Sequence, residues 1–315
     1  TYVEFIMSFN KKITIGARGS RLSLAYANYA KKLIIRNNQL NENEVDIKII
    51  KTKGDIFSKT PVSQLGGKGV FCKEIENELI NKNIDIAVHS LKDLPTIQTL
   101  NLKIQSFIQR NDPRDSFLSL DKQVFVKQKK GSRIGTSSAR RKLQLLNLKN
   151  DLEILPMRGN VDTRIEKLKS KQYDGIVLAY SGLMMLGLEN HVTEIFPTEK
   201  ILPAVGQGII ALQCREDDKN IISLIEKINH KETFISALVE RSLLESIGGD
   251  CDTAVGGYAK IEGKKITLEA ELFSDDYKKV FKSSKTVHIE ESRLLGKNVG
   301  DDLLKQAGNS YKKKF

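Results

Sequence analysis

The stretch KITIGARGSRLSLAYANYAKKLI (12–34) carries two periodicities back to back. KITIGA (12–17) is a short β-run, and RLSLAYANYAKKLI (21–34) spaces its apolar residues along one helix face. A strand therefore ends and a helix begins around Arg18-Gly19-Ser20. The same alternation continues through VDIKIIKT (45–52), the helix-like FCKEIENELI (71–80) and IDIAVHS (84–90). It resumes with SRIGTSS (132–138), ARRKLQLLNL (139–148), DLEILPM (151–157), VDTRIEKLKS (161–170) and DGIVLAYSG (174–182). Strands alternating with helices predict parallel sheets flanked by helices, with ligands bound beyond the carboxyl ends of the strands.

The last third changes character. FISALVERSLLESIGG (234–249) reads as a helix stopped by glycines, and AVGGYAKIEGKKITLEAELFS (254–274) as a hairpin turning at Glu262-Gly263. KTVHIEESRLLGKNVGDDLLKQAG (285–308) adds a strand and a helix, so a separate small α+β domain is expected from about residue 231.

At 315 residues the chain is too long for one core and is expected to form two or three domains. Its 51 basic and 39 acidic residues leave a net charge of +12, which calls for an anionic partner: a polycarboxylate, nucleic acid or a membrane surface. Aromatic residues at 6%, with no tryptophan, weaken a base-stacking platform. Cys72, Cys214 and Cys251 lie far apart, which gives no support to a zinc site or disulfide framework and fits a reducing cytoplasm. No apolar run approaches a membrane span, and no secretory signal is present. The first methionine is Met7, where the reading places the biological start.

The arginines are the informative charges. Arg18 closes a strand, Arg140 and Arg141 follow the run Gly135-Thr136-Ser137-Ser138, Arg158 closes another strand, and Arg164 follows about a turn later. Each could be a solvated surface charge alone. Several guanidinium forks on one rim fit a ligand with several acidic groups, and the Thr/Ser run at a helix start adds an anion cradle. In HSLKDLP (89–95), Lys92 and Asp93 end an apolar strand, where a carboxylate could stabilise a developing cation or simply form an exposed turn pair. His89 reads as a structural hydrogen-bonder. QLGGKGVFCKE (64–74), with Lys68, reads as a mobile loop, since it fails the phosphate-loop pattern. In GGDCDTAVGG (248–257), Asp250 and Asp252 should keep Cys251 protonated, and a Gly/Asp loop is a poor place for a core residue.

Taken together, ARGSRLSL (17–24), GGKGVFCKE (66–74), DIAVHSLKDLP (85–95), NDPRDSF (111–117), IGTSSARR (134–141), MRGNVDTR (157–164), LPAVGQG (202–208) and GGDCDTAVGG closely resemble the porphobilinogen deaminase family. The resemblance runs from about residue 12 to 308. It implies two periplasmic-binding-protein-like α/β domains joined by a hinge, plus a small C-terminal α+β domain. The implied boundaries are 10–108 with a return segment at about 209–226, then 109–208, and 231–315. It further implies a dipyrromethane cofactor held by Cys251 through a thioether, with no metal. Four porphobilinogen molecules would lose ammonia and condense in turn, and hydrolysis would release linear hydroxymethylbilane.

Carried over by motif, Asp93 is the catalytic carboxylate. Lys92, Ser138, Arg140, Arg141 and Arg164 are expected on the cofactor, and Arg18, Ser20, Thr136, Ser137, Arg158 and Asn160 on the substrate. A cytoplasmic monomer without nucleic-acid or membrane partners is implied. Met185 stands where the family commonly has an arginine, and Arg21 where proline is usual, so Arg21 is a candidate compensating cation. A non-catalytic anion-binding protein of the same two-domain fold explains neither Cys251 nor the Lys92-Asp93 pair, and no helix-turn-helix segment supports a regulator. Nucleic-acid binding rests on charge alone.

Overall fold

The structure, a computed structural model, describes residues 12–56, 69–250 and 253–313. Met7, Lys68 and Cys251 lie outside them. The first sheet is built from β1 (Ile13–Arg18), β2 (Val45–Ile50), β3 (Ile86–Ser90) and β4 (Leu102–Phe107). Between these run α1 (Arg21–Asn38), the short α2 (Lys53–Ile56) and α3 (Lys73–Ile80). The Ser20 hydroxyl caps α1 by accepting from the Ser23 amide, which is why the strand gives way to a helix so abruptly.

A second sheet contains β5 (Asp115–Ser119), β6 (Arg133–Gly135), β7 (Glu153–Leu155), β8 (Gly175–Ala179) and β9 (Glu194–Ile195). Its helices are α4 (Ala139–Leu148), α5 (Val161–Lys169) and α6 (Tyr180–Leu186). The chain then returns: β10 (Ile210–Arg215) inserts between β3 and β4, giving the order β2-β1-β3-β10-β4, and α7 (Lys219–Glu226) follows it. A third unit packs α8 (Lys231–Ser246) and α9 (Leu295–Ala307) against the antiparallel sheet of β11 (Val255–Glu262), β12 (Lys265–Phe273) and β13 (Val280–His288).

Two α/β units and a small α+β unit agree with the fold class read from the sequence, but the expectation of parallel sheets needs correction. β10 runs antiparallel to β3 and β4, and β5 antiparallel to β8 and β9. Both strands follow segments that cross between the units, so they enter their sheets from the opposite end. DGIVLAYSG is also shorter as a strand than its pattern implied, because α6 begins at Tyr180. Both sheets are covered on two faces. Ile13, Ile15 and Ala17 of β1 pack with α1 and α7, while Ala87 of β3 packs with Ile75 and Leu79 of α3. In the second sheet Phe117 and Val177 face Leu145 of α4, whereas the adjacent Leu118 and Leu178 face Ile165 of α5.

The two crossings touch. Asn111 donates its amide to the Gly208 carbonyl at 2.9 Å, and a Cβ on Gly208 would lie 2.6 Å from the Asn111 oxygen. Only glycine, here at φ +84°, permits that approach. Glu240 of α8 then secures both strands to the third unit. Fully buried, it pairs with Arg110 of the first crossing and accepts from the amides of Gly206 on the second crossing and Ala259 on β11, at 2.7 and 2.8 Å. Among the described residues, no helix is long and apolar enough to cross a membrane.

Glu240→Ala removes one partner of this buried pair and is expected to cost ~3–5 kcal/mol of stability in urea unfolding. A loss under about 1 kcal/mol would show that Glu240 does not hold the crossings.

Candidate active site

Between the two α/β units lies a cavity of about 280 Å³. Arg18, Ser20, Lys92, Asp93, Arg141, Asn160 and Arg164 of the expected residues line it. Ser20 opens α1, the Lys92-Asp93 pair sits in a single 3-10 turn (Leu91–Asp93) directly after β3, and Asn160 opens α5. Asp93 is exposed to the cleft, and no hydrogen bond to it from another described residue is present. Its charge is felt at Tyr26, Lys92 and Arg164. Burial, reinforced by that negative charge, raises the Tyr26 phenol.

The surrounding cations are poorly neutralised. Burial lowers Lys92 to about 8, Arg141 pushes in the same direction, and Asp93 and Asp115 only partly oppose this. Arg164 is lowered to about 10, first by burial and then by the charges of Arg141 and Arg158. Within the described residues its guanidinium makes one hydrogen bond, from Nε to the Gly159 carbonyl at 2.7 Å. Terminal nitrogens of Arg164 thus remain for a ligand. A cleft that holds mutually repelling cations with unspent donors is complementary to a molecule carrying several carboxylates.

Arg18 is already engaged. It grips Asp55 through two nitrogens, at 3.3 and 2.6 Å, with its guanidinium 4.1 Å from the centre of the Phe71 ring. Burial pushes the Asp55 carboxyl up, but hydrogen bonds from Arg18 and Thr52 outweigh this and hold it low. A ligand carboxylate at Arg18 must therefore share it with Asp55.

Several expected residues do not reach the cavity. Arg140 is buried, donating to Asp115 at 2.8 Å, to the Leu202 carbonyl at 2.7 Å and to Gln144 at 3.0 Å. Thr136 accepts from the Ser138 amide, and Ser138 caps α4. Ser137 clips two strand ends together by donating to the Met157 carbonyl and accepting from its amide, at 2.8 and 2.9 Å. Arg158 does not line the cavity but acts on Arg164 through its charge. At the start of α4 the Ser137 hydroxyl is thus spent as donor and acceptor in holding the turn, whereas the Thr136 and Ser138 hydroxyls act there as acceptors. Arg21 does not replace the missing arginine either. It donates to Asp162 at 2.7 Å and to the Leu186 carbonyl at 3.3 Å, bridging α1 to the second unit. Met185 packs against the apolar core of the first unit.

The reading of the sequence passed over Asp115 and Gln207. Asp115 is fully buried and accepts from Arg140, from Arg141 at 2.7 and 3.1 Å, and from Gln207 at 2.9 Å. Burial alone would raise its carboxyl, but the two guanidiniums hold it well below the usual carboxylate range. A signal existed: a carboxylate opening the buried strand DSFLS requires a cationic partner. His89 is buried, bonded to Gln213 at 3.1 Å, and burial lowers it to about 4, which agrees with a structural role.

Residues around Cys251 connect to both walls. Gly249 accepts from the Thr96 hydroxyl at 2.8 Å, just beyond the Lys92-Asp93 turn, and Arg241 of α8 donates to the carbonyls of Pro95 and Thr96. On the other side Ala254 packs with Leu143 of α4 and Phe273. These ties hold Gly249 beside the segment that follows Asp93 and Ala254 against α4, and the cationic donors of the cleft suit a group bearing acetate and propionate side chains.

Comparison with known proteins converges. The family model for porphobilinogen deaminase, dipyromethane cofactor binding domain, matches residues 13–223, and that for porphobilinogen deaminase, C-terminal domain, matches 234–305. The porphobilinogen deaminase of Syntrophomonas wolfei subsp. wolfei is 38% identical over 298 residues, covering 95% of this chain and 97% of its own. That of Francisella tularensis subsp. novicida is 40% identical over 294 residues, covering 93% and 96%. Among solved structures, the methionine-binding protein MetQ aligns with a TM-score of 0.43 and 13% identity, covering 71% of this chain and 92% of that one.

The Asp115 cluster has a pH signature. Its carboxyl is lower in the folded than in the unfolded chain, so its stabilisation is present above about pH 4 and is lost as pH falls below it. In Asp115→Asn, urea midpoints measured across acidic pH should fall less steeply, and stability at pH 7 should drop by ~3–5 kcal/mol. An unchanged acid slope would contradict the pairing.

Proposed function

The chain belongs to the porphobilinogen deaminase family, and from that premise we propose how its residues divide the family's work. The enzyme condenses porphobilinogen, with loss of ammonia, into the linear tetrapyrrole hydroxymethylbilane, and it contains the family's dipyrromethane-binding domain. When bound through the Cys251 sulfur, the dipyrromethane supplies the pyrrole carbon on which substrate units are joined. The carrying observation is Asp93, a carboxylate without a hydrogen-bond partner among the described residues, in a cleft with a surplus of buried cations.

Asp93 accepts hydrogen bonds from substrate pyrrole N–H groups and offsets the positive charge that develops on the substrate as ammonia leaves. This is electrostatic catalysis by a group fixed beforehand. Lys92, Arg141 and Arg164 bind acetate and propionate groups of the growing chain, and Arg18 adds a further contact shared with Asp55. Ser20 and Asn160 supply hydrogen bonds at the cleft wall. Arg140, Arg158, Thr136, Ser137 and Ser138 work from behind it: Arg140 helps neutralise Asp115, the hydroxyls fix the turn into α4, and Arg158 strengthens the positive field.

We divide the chain at 10–108 with a return at about 209–226, at 109–208 and at 231–315, so that both crossings act as a hinge. The enzyme is read as a cytoplasmic monomer whose basic surplus serves substrate carboxylates rather than nucleic acid or membrane.

Asp93→Ala tests this assignment. Its kcat should fall by about 10²–10³-fold. Thermal unfolding should stay within about 0.5 kcal/mol, because the side chain lost is exposed and has no hydrogen-bond partner among the described residues. A near-normal kcat would remove Asp93 from the chemistry.

A further inference from the structure

Gln207 lies on the second crossing and is fully buried, with no surface in the cavity. Its amide is nevertheless oriented by chemistry. Nε2 donates to the Pro113 carbonyl at 2.7 Å and to Asp115 Oδ1 at 2.9 Å, and neither oxygen can donate in return. Oε1 must therefore face the cleft. There it accepts from Lys92 Nζ at 3.3 Å and from Arg141 at 3.4 Å. The Lys92 ammonium has no other hydrogen bond to a described residue.

We propose that Gln207 is a positioning residue, whose amide connects the buried Asp115 carboxylate to Lys92 and holds the ammonium beside Asp93. The inference rests on the assignment of Lys92 to carboxylate binding. Pro113 and Gln207 lie on the two different crossings, so the anchor of Lys92 is set where the units are joined. The charged groups acting on Lys92 are Asp93 on its own turn, Asp115 at the start of β5, and Arg140 and Arg141 on α4. Against burial and the two arginines, an acceptor at Nζ favours the protonated amine. Gln207 thereby keeps Lys92 cationic at the pH where it must hold a ligand carboxylate.

The test is competitive acetylation of Lys92 in the full-length holoenzyme across pH 6–10, read by peptide mass, because only the neutral amine reacts. Gln207→Met keeps the length of the side chain and removes the acceptor. Its labelling midpoint should fall by ~0.5 unit or more, giving about threefold more labelling at pH 7. Gln207→Asn, which keeps an amide but draws its oxygen back by one methylene, serves if the first variant does not fold and should lower the midpoint in the same direction. Unmoved midpoints would overturn the inference even if thermal stability fell, since a merely structural amide changes stability alone. Lys92→Met separates the two readings. If it keeps wild-type kcat/KM, the assignment of Lys92 falls. If it is crippled while the Gln207 variants leave the midpoint in place, only the positioning role falls.

Discussion

A carboxylate and two guanidiniums buried together form the constraint on which the rest of the molecule depends. Removing such groups from water costs several kcal/mol each, and attraction repays this only when the geometry satisfies nearly every donor and acceptor. Asp115 accepts from both arginines because it opens β5 directly after the first crossing, where the first turn of α4 can bring them to it, although the buried Arg140 Nε has no partner among the described residues. Gln207 completes the cluster from the second crossing. One carboxylate thus fixes the second unit, the junction between units and one wall of the cleft. Because two arginines face one aspartate, the wall keeps a positive excess. Arg164 and Lys92 extend that excess into a site suited to a chain whose carboxylates increase with every unit added.

The third unit contributes polar ties beside an apolar contact, in which Ala237 and Phe234 of α8 pack with Leu91, Leu94 and Phe107. Glu240 holds both crossings, while Thr96 and Arg241 connect the turn after Asp93 to the segment before Cys251. The turn carrying Asp93 and the segment ending at Asp250 are thereby held side by side. At the outer edge, Met185 and Arg21 serve contact between units instead of carboxylate binding.

Much of this was legible in residue order. Helical spacing in RLSLAYANYAKKLI and alternation in KITIGA are local properties, and the hairpin at Gly263 announces itself through a residue that adopts positive φ. Asp93 was legible only in part: its place at a strand end fits an exposed turn pair as well as a catalytic carboxylate, and only the family resemblance points to the second. The antiparallel β10 could not be read from periodicity, because an apolar run looks the same in either direction. The role of Arg140 was obscured for a similar reason: its sequence position matches that of Arg141, and only packing decides which of two adjacent guanidiniums faces Leu202 and which faces the cleft. Gln207 carries no charge and no pattern, and its importance arises entirely from partners far away in the chain.

The most direct measurement is the intact mass of the denatured protein before and after brief exposure to porphobilinogen, beside the same chain with Cys251→Ser. The account predicts a mass increase equal to two linked pyrrole units that depends on Cys251, followed by a ladder of further single-unit additions once substrate is added. A chain that acquires neither the tethered pair nor any later addition, with Cys251 intact and substrate present, would contradict it.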